Sequence, residues 1–139
     1  MNRERLFLDT FFVQALFNPR DRYHEQARHF EPRLRAAAEV WVSEAVLVEV
    51  ADALSARDRE GAVAFVRGCY TTPNIHVVSM DTLLLNRALE LYHARPDKTW
   101  GLTDCSSFVV MEDQGLTDAL TGDAHFRQAG YRTLLADTP

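Results

Sequence analysis

A short apolar run, Leu6-Phe7-Leu8, stops on an acid, Asp9, and three later acids sit in the same kind of place. Glu49 closes Ala45-Val46-Leu47-Val48, Asp104 follows Leu102-Thr103, and Asp123 follows Leu120-Thr121-Gly122. Each acid either ends an apolar stretch or opens the helix expected after it. Carboxylates fixed at the edge of a core can converge on one cleft, and convergence of four requires a divalent cation to offset their mutual repulsion. The chain must therefore fold so that several element ends meet.

The pattern between the acids supplies such a fold. Leu6–Asp9 reads as a buried strand, and Thr10 caps a helix through Phe11–Phe17 that Asn18-Pro19 breaks. Arg22–Ala38 has Tyr23, Ala27, Phe30 and Leu34 at helical spacing, with Pro32 predicting a kink or an early end. Val40–Val42 is a second strand, Ser43 caps a helix to about Ala56, and Glu60–Tyr70 is another helix. Ile75–Ser79 is a strand; Asp81 caps a helix through Tyr92 that Pro96 closes, and Asp97–Leu102 is a polar loop. Thr103–Gln114 is a helix ended by Gly115, and Leu116–Thr121 and Tyr131–Leu135 are strands joined by a helical turn near Ala124–Ala129. Strands alternating with helices predict an α/β fold with a mainly parallel sheet, whose sites form beyond the carboxyl ends of the strands. Asp9 and Asp123 fall there. No linker or repeat interrupts the chain, so residues 1–139 are expected to form one domain.

Each acid has an ordinary alternative. Asp104 also fits a helix-start acid favoured by the macrodipole, and Asp123 a turn aspartate. Glu49 is harder to dismiss, because Val46, Val48, Val50, Ala53 and Leu54 make its helix apolar on much of its circumference, where an unpaired charge is costly. Oxygen-only ligation selects Mg²⁺ or Mn²⁺, and no pair of histidines or cysteines has zinc-ligand spacing. His125 is the histidine beside a motif acid; it reads as a phosphate contact or, more ordinarily, as a packing or surface residue. Aspartyl-phosphate phosphatases also open on an apolar strand and Asp-Thr, but they need a second Asp where this chain has Phe11. Gly-x-Ser-x-Gly and Gly-rich phosphate loops are absent.

The net charge of −5 argues at first against a polyanionic partner. Its distribution answers the objection: residues 1–96 carry net −1 and residues 97–139 net −4, and the four motif acids alone supply four negative charges. Once they hold cations, the remainder is close to neutral. Fourteen of the fifteen basic residues are arginine, the side chain suited to bidentate phosphate contact, and Arg20, Arg22, Arg57 and Arg59 are the candidates for an RNA backbone. No stretch reaches the roughly 18 apolar residues of a membrane span, and the charged Met1–Arg5 start lacks a signal-peptide core, so a cytoplasmic location with no membrane partner is expected. Cys69 and Cys105 read as buried free thiols.

Taken in order, the strand-Asp-Thr start, Ser-x5-Glu in a helix, Leu-Thr-Asp opening a later helix and Thr-x-Asp-x-His-Phe after a strand resemble the PIN domain family over essentially the whole chain. The likeness is densest at 102–108 and 119–126, with 18 residues between Asp104 and Asp123. The resemblance implies a three-layer α/β/α fold and an Mg²⁺- or Mn²⁺-dependent endoribonuclease. Small members are commonly VapC-type toxins of toxin–antitoxin pairs, so a small antitoxin partner and a homodimer are expected. By position, Asp9, Glu49, Asp104 and Asp123 match the family's acidic quartet. Asp9, Asp104 and Asp123 would hold the principal cation, and Glu49 a second ion or the attacking water. Thr121 and Ser106 fall near the quartet as hydrogen-bonding residues, and Asp52 lies one turn past Glu49. A housekeeping PIN nuclease without an antitoxin, or a non-catalytic protein-binding module, are the alternatives. Phe11, Phe12, Phe17 and Phe65, if exposed, would build a dimer or antitoxin groove; otherwise they pack the core.

Overall fold

A computed structural model describes residues 2–136; Met1, at the head of the charged start, and residues 137–139 lie outside it. The element order is β1 (Arg5–Leu8), α1 (Thr10–Phe17), α2 (His24–Ala36), β2 (Glu39–Ser43), α3 (Glu44–Leu54) and α4 (Arg59–Thr71). There follow β3 (Ile75–Val78), α5 (Thr82–Ala94), α6 (Leu102–Gln114), β4 (Asp118–Leu120), α7 (Ala124–Gln128) and β5 (Arg132–Thr133). The strands lie in the order β3-β2-β1-β4-β5, and every pairing is parallel. Helices flank the sheet in the three-layer α/β/α arrangement, with α1 packed on α2 and α3, α3 on α4, and α5 on α6.

β1 lies at the centre because its side chains allow nothing else. Leu6, Phe7 and Leu8 are wholly buried, and a parallel strand covered on both faces needs apolar residues in succession rather than in alternation. Chain order reverses at this strand, since β2 and β3 extend to one side and β4 and β5 to the other. Such a switch point leaves a crevice beyond the carboxyl ends, here those of β1 and β4. Below it, Phe126 of α7 is fully buried, 5.0 Å edge-on from Phe108 and 6.1 Å from Phe7. Burying one such ring is worth about 1.5–3 kcal/mol, enough to seat a five-residue helix that could not stand alone. Gly115 ends α6 in the left-handed region at φ 64°, the C′ glycine expected there.

Pro32 does not bring the early end expected of it, since α2 runs on to Ala36. Pro32 and Arg28, four residues before it, are exposed, so the carbonyl left without its helical donor meets water. The Asn74 side chain then donates to the Ala37 carbonyl at 2.9 Å and the Leu34 carbonyl at 3.3 Å, closing the last turn. Of the two outcomes expected for the phenylalanines, an exposed groove or core packing, the structure has the second: Phe12 is fully buried, and Phe11, Phe17 and Phe65 are half-buried against the core. The apolar side chains that do face solvent include Val48, Val63, Tyr70, Leu85, Leu89 and Tyr92. Thr10 does not cap α1. Asp9 occupies the N-cap position without a side-chain cap bond, and the Thr10 hydroxyl goes elsewhere.

Both cysteines are buried free thiols, and burial pushes the Cys69 thiol up to about 11. No described helix is long and apolar enough to cross a membrane.

Candidate active site

Asp9 leaves the carboxyl end of β1 and is only 5% exposed. Its Oδ2 accepts the Thr121 hydroxyl at 2.8 Å, and the Thr121 Oγ1 accepts the Asp123 backbone N–H at 3.0 Å. One hydroxyl thus ties the end of β1 to the turn after β4. Burial pushes the Asp9 carboxyl up to about 7, the Thr121 bond opposes that rise, and the charges of Asp104, Asp123 and Glu49 add to it. A buried acid that feels three other acids is unstable as an isolated anion. It needs a proton or a cation.

The turn itself leaves no room for a side chain at its middle. A Cβ at Gly122 would lie 2.6 Å from the Phe11 ring, which is packed edge-on against Tyr23 at 4.9 Å. Gly122→Val should therefore displace either Phe11 or the Asp123 turn and cost about 1–3 kcal/mol, the usual penalty of overpacking. Urea unfolding measures it; an unchanged midpoint means that the Phe11 ring gives way freely.

Asp123 caps α7, its Oδ1 accepting the His125 backbone N–H at 2.9 Å. Asp104 stands in the first turn of α6, where its Oδ2 accepts the Gly101 backbone N–H at 3.0 Å. It is a helix-start acid and a member of the cluster at once. The same Oδ2 lies 2.9 Å from the His125 Nδ1, and Asp123 Oδ1 lies 3.5 Å from it. Ligand atoms of Asp104, Asp123 and His125 all fall within 4.8 Å of one another. Opposite them, the Thr10 hydroxyl donates to the Glu49 Oε1 at 2.5 Å.

Glu49 does not sit in the apolar surroundings expected of it. Glu49 is exposed, as is Val48 beside it at 61%, because this stretch of α3 faces an open rim while Val46, Leu47 and Val50 face the core. Its charge is tolerated by water and by Thr10, not by an enclosing pocket. Ser106 turns back on its own helix, its hydroxyl donating to the Thr103 carbonyl at 2.6 Å. Asp52 lines a groove of about 470 Å³ between α3 and α4 with Arg59 and Arg67. The four candidate arginines are all exposed but not gathered: Arg57 stands beside Gln14 and Asn18 at the end of α1, and Arg22 lies over the Tyr23 ring at 5.4 Å. Seven others, Arg5, Arg28, Arg33, Arg35, Arg87, Arg95 and Arg132, are spent in ion pairs.

Two residues of the cluster escape sequence reasoning. Thr10 reads as a helix cap, although its place next to Asp9 puts it at the same strand end. His125 reads in the sequence as a phosphate contact or, more ordinarily, a packing or surface residue, and not as a member of the acid cluster. Its position two after Asp123, on the first turn of a helix that Asp123 caps, was the available signal.

The PIN domain family profile matches residues 6–130. Among solved structures, VapC20 of Mycobacterium tuberculosis, a sarcin–ricin loop cleaving toxin, superposes with a TM-score of 0.82 at 25% identity, over 94% of this chain and 98% of that one. FitAcB from Neisseria gonorrhoeae gives 0.64 at 13% identity, covering 92% of this chain and 95% of its own. VapBC2 from Rickettsia felis, bound to a DNA fragment from their promoter, gives 0.65 at 12%, covering 93% and 96%. The last two likenesses speak to fold alone. No curated protein sequence matches.

Proposed function

Since the chain belongs to the PIN domain family, we propose that it is a divalent-metal-dependent endoribonuclease, the toxin of a type II toxin–antitoxin pair. The observation that carries this reading is the buried Asp9 carboxylate, on which the charges of Asp104, Asp123 and Glu49 all bear. The donor set fits a hard divalent cation: carboxylate oxygens dominate, and no thiol stands among them. Asp9, Asp104 and Asp123 hold Mg²⁺ or Mn²⁺, and Glu49 stands at the open rim. When bound, the cation neutralises charge on the phosphate oxygens and makes water more acidic.

The residues then divide the work. Thr121 orients Asp9 and fixes the turn that presents Asp123. Thr10 holds Glu49, which orients the attacking water and takes its proton as the water oxygen bonds to phosphorus, while the bond to the leaving ribose oxygen breaks and that oxygen takes a proton from solvent. Likeness to a sarcin–ricin loop cleaving toxin supports a structured RNA hairpin as the first substrate to assay. Such an RNA should be cut in Mg²⁺ or Mn²⁺ and left whole in EDTA. Intact RNA under all conditions would remove the proposal.

Arg20, Arg22, Arg57 and Arg59 are the proposed backbone contacts. Removing a genuine phosphate contact lowers the dependence of log affinity on log salt by roughly 0.7–0.9. Arg57→Gln and Arg59→Gln should each show that reduction when RNA binding is titrated from low to physiological salt; an unchanged slope excludes the residue. The apolar groove between α3 and α4, exposing Val48, Val63 and Tyr70, is offered to the antitoxin. Leu85, Leu89 and Tyr92 on α5 are offered to a second copy in a homodimer. Growth arrest on expression, relieved by co-expressing the adjacent open reading frame, tests the toxin assignment.

A further inference from the structure

We infer that His125 is a direct nitrogen ligand of the cation held by the acid cluster, so that the site adds an imidazole to its carboxylates and prefers Mn²⁺ to Mg²⁺. The inference rests on the cluster binding a divalent cation, as proposed above. Four observations point the ring at that place.

The first is spacing. Octahedral ligation with bonds of about 2.1 Å sets neighbouring ligand atoms about 3 Å apart. His125 Nδ1 stands 2.9 Å from Asp104 Oδ2 and 3.5 Å from Asp123 Oδ1. Mutual separations within 4.8 Å let all three atoms surround one ion.

The second is the far side of the ring. His125 Nε2 lies 3.3 Å from the Thr99 Oγ1. With a cation between Nδ1 and the acids, a hydrogen on Nε2 donated to that hydroxyl would leave the lone pair on Nδ1, the atom that faces the acids. Ligating histidines commonly have their tautomer fixed in this way.

The third is rigidity. The His125 backbone N–H is bonded to Asp123 Oδ1 at 2.9 Å, and the next residue, Phe126, is fully buried. The ring is held by both neighbours and is only 27% exposed, unlike a long surface side chain that meets an acid by chance.

The fourth is chemistry. An all-oxygen set suits Mg²⁺, whereas one imidazole among oxygens moves the preference along the transition series. A plain ion pair between His125 and Asp104 makes the opposite claim, because an arriving cation would then displace the ring instead of recruiting it.

Pulsed electron paramagnetic resonance on the Mn²⁺-loaded chain separates the two. The expected result is a nitrogen coupling from a directly bound imidazole, which changes when the protein is labelled with ¹⁵N-histidine and disappears in His125→Gln. That variant should bind Mn²⁺ roughly 10–100-fold more weakly, a loss of the size seen when support is removed from metal ligands, with Mg²⁺ affinity little changed. The wild-type labelling result stands even if His125→Gln fails to fold. Mn²⁺ bound in an Asp104-dependent manner without any histidine nitrogen coupling overturns the inference and leaves the acid cluster intact. Wild-type protein that binds no Mn²⁺ removable by Asp104→Asn overturns both.

Discussion

Asp9→Asn is expected to reduce RNA cleavage by about 10³-fold or more, the order of cost of losing one group that neutralises charge in a transition state, while leaving the metal-free protein at least as stable as wild type at pH 8. The two effects have opposite signs for a single reason. An amide keeps the shape of the carboxylate and its oxygen still accepts the Thr121 hydroxyl, so the bond that joins β1 to the Asp123 turn survives. What disappears is the negative charge, which is buried and faces three other acids. That charge is a burden to the fold and the means of holding a cation. A residue with a purely structural role would lose stability on substitution. Initial rates on an RNA hairpin, paired with urea unfolding of the same preparations, read both quantities. Full activity in Asp9→Asn would sink the proposed site, and a large loss of stability would show that Asp9 serves packing.

The same carboxyl makes stability depend on pH and metal together. Folding raises its pKa from 3.8 to about 7, so the folded chain binds this proton more tightly than the unfolded chain does. The contribution to stability is therefore fully present below about pH 4 and is lost as pH rises through about 7. A rise from 3.8 to about 7 at 1.36 kcal/mol per unit is worth about 4 kcal/mol at most, against a total of roughly 5–15 kcal/mol for a domain. Glu39, Glu44, Asp97 and Asp113 act oppositely: their hydrogen bonds to Arg5, Tyr70, Arg95 and Arg87 hold them below the usual range, and that support is lost as pH falls through their folded values. Asp97 and Asp113 are open to solvent and Glu39 and Glu44 half-buried, where pairs are weak. The metal-free protein should be most stable in mildly acidic solution and weaken toward pH 8. Mn²⁺ at 100 times its dissociation constant should restore about 2.7 kcal/mol at pH 8. Thermal unfolding across pH 4.5–8.5 with and without Mn²⁺ measures this, and Asp9→Asn should flatten both responses. Equal stability at pH 5 and pH 8 without metal would contradict the burial argument.

The order of the elements was legible because the acids stand where apolar periodicity stops. Leu6-Phe7-Leu8 can only be a strand covered on both sides, and Ser43, Asp81 and Gly115 each bound a helix as their chemistry dictates. Pro32 misled because a helix exposed on the side of the lost bond keeps its carbonyl wet, and exposure is a tertiary fact. Glu49 misled similarly. Apolar neighbours in sequence implied enclosure, yet the elements packed on α3 cover only the face that carries Val46, Leu47 and Val50. His125 escaped because its partner Asp104 is 21 residues away and is brought to it only when α6 and α7 meet across the carboxyl end of β4. The arginines were least legible. Among the described residues, ion pairs hold arginines through contacts such as Arg33 with Glu4 and Arg132 with Asp118, which no local pattern announces.

The central claim is that Asp9, Asp104 and Asp123 close on one divalent cation with Glu49 at its open side. A crystal of the wild-type chain soaked in Mn²⁺, with diffraction recorded for anomalous scattering, tests it directly. The account requires a peak within metal–oxygen bonding distance of Asp9, Asp104 and Asp123. A map with no peak there, or with manganese bound only elsewhere on the surface, would contradict it.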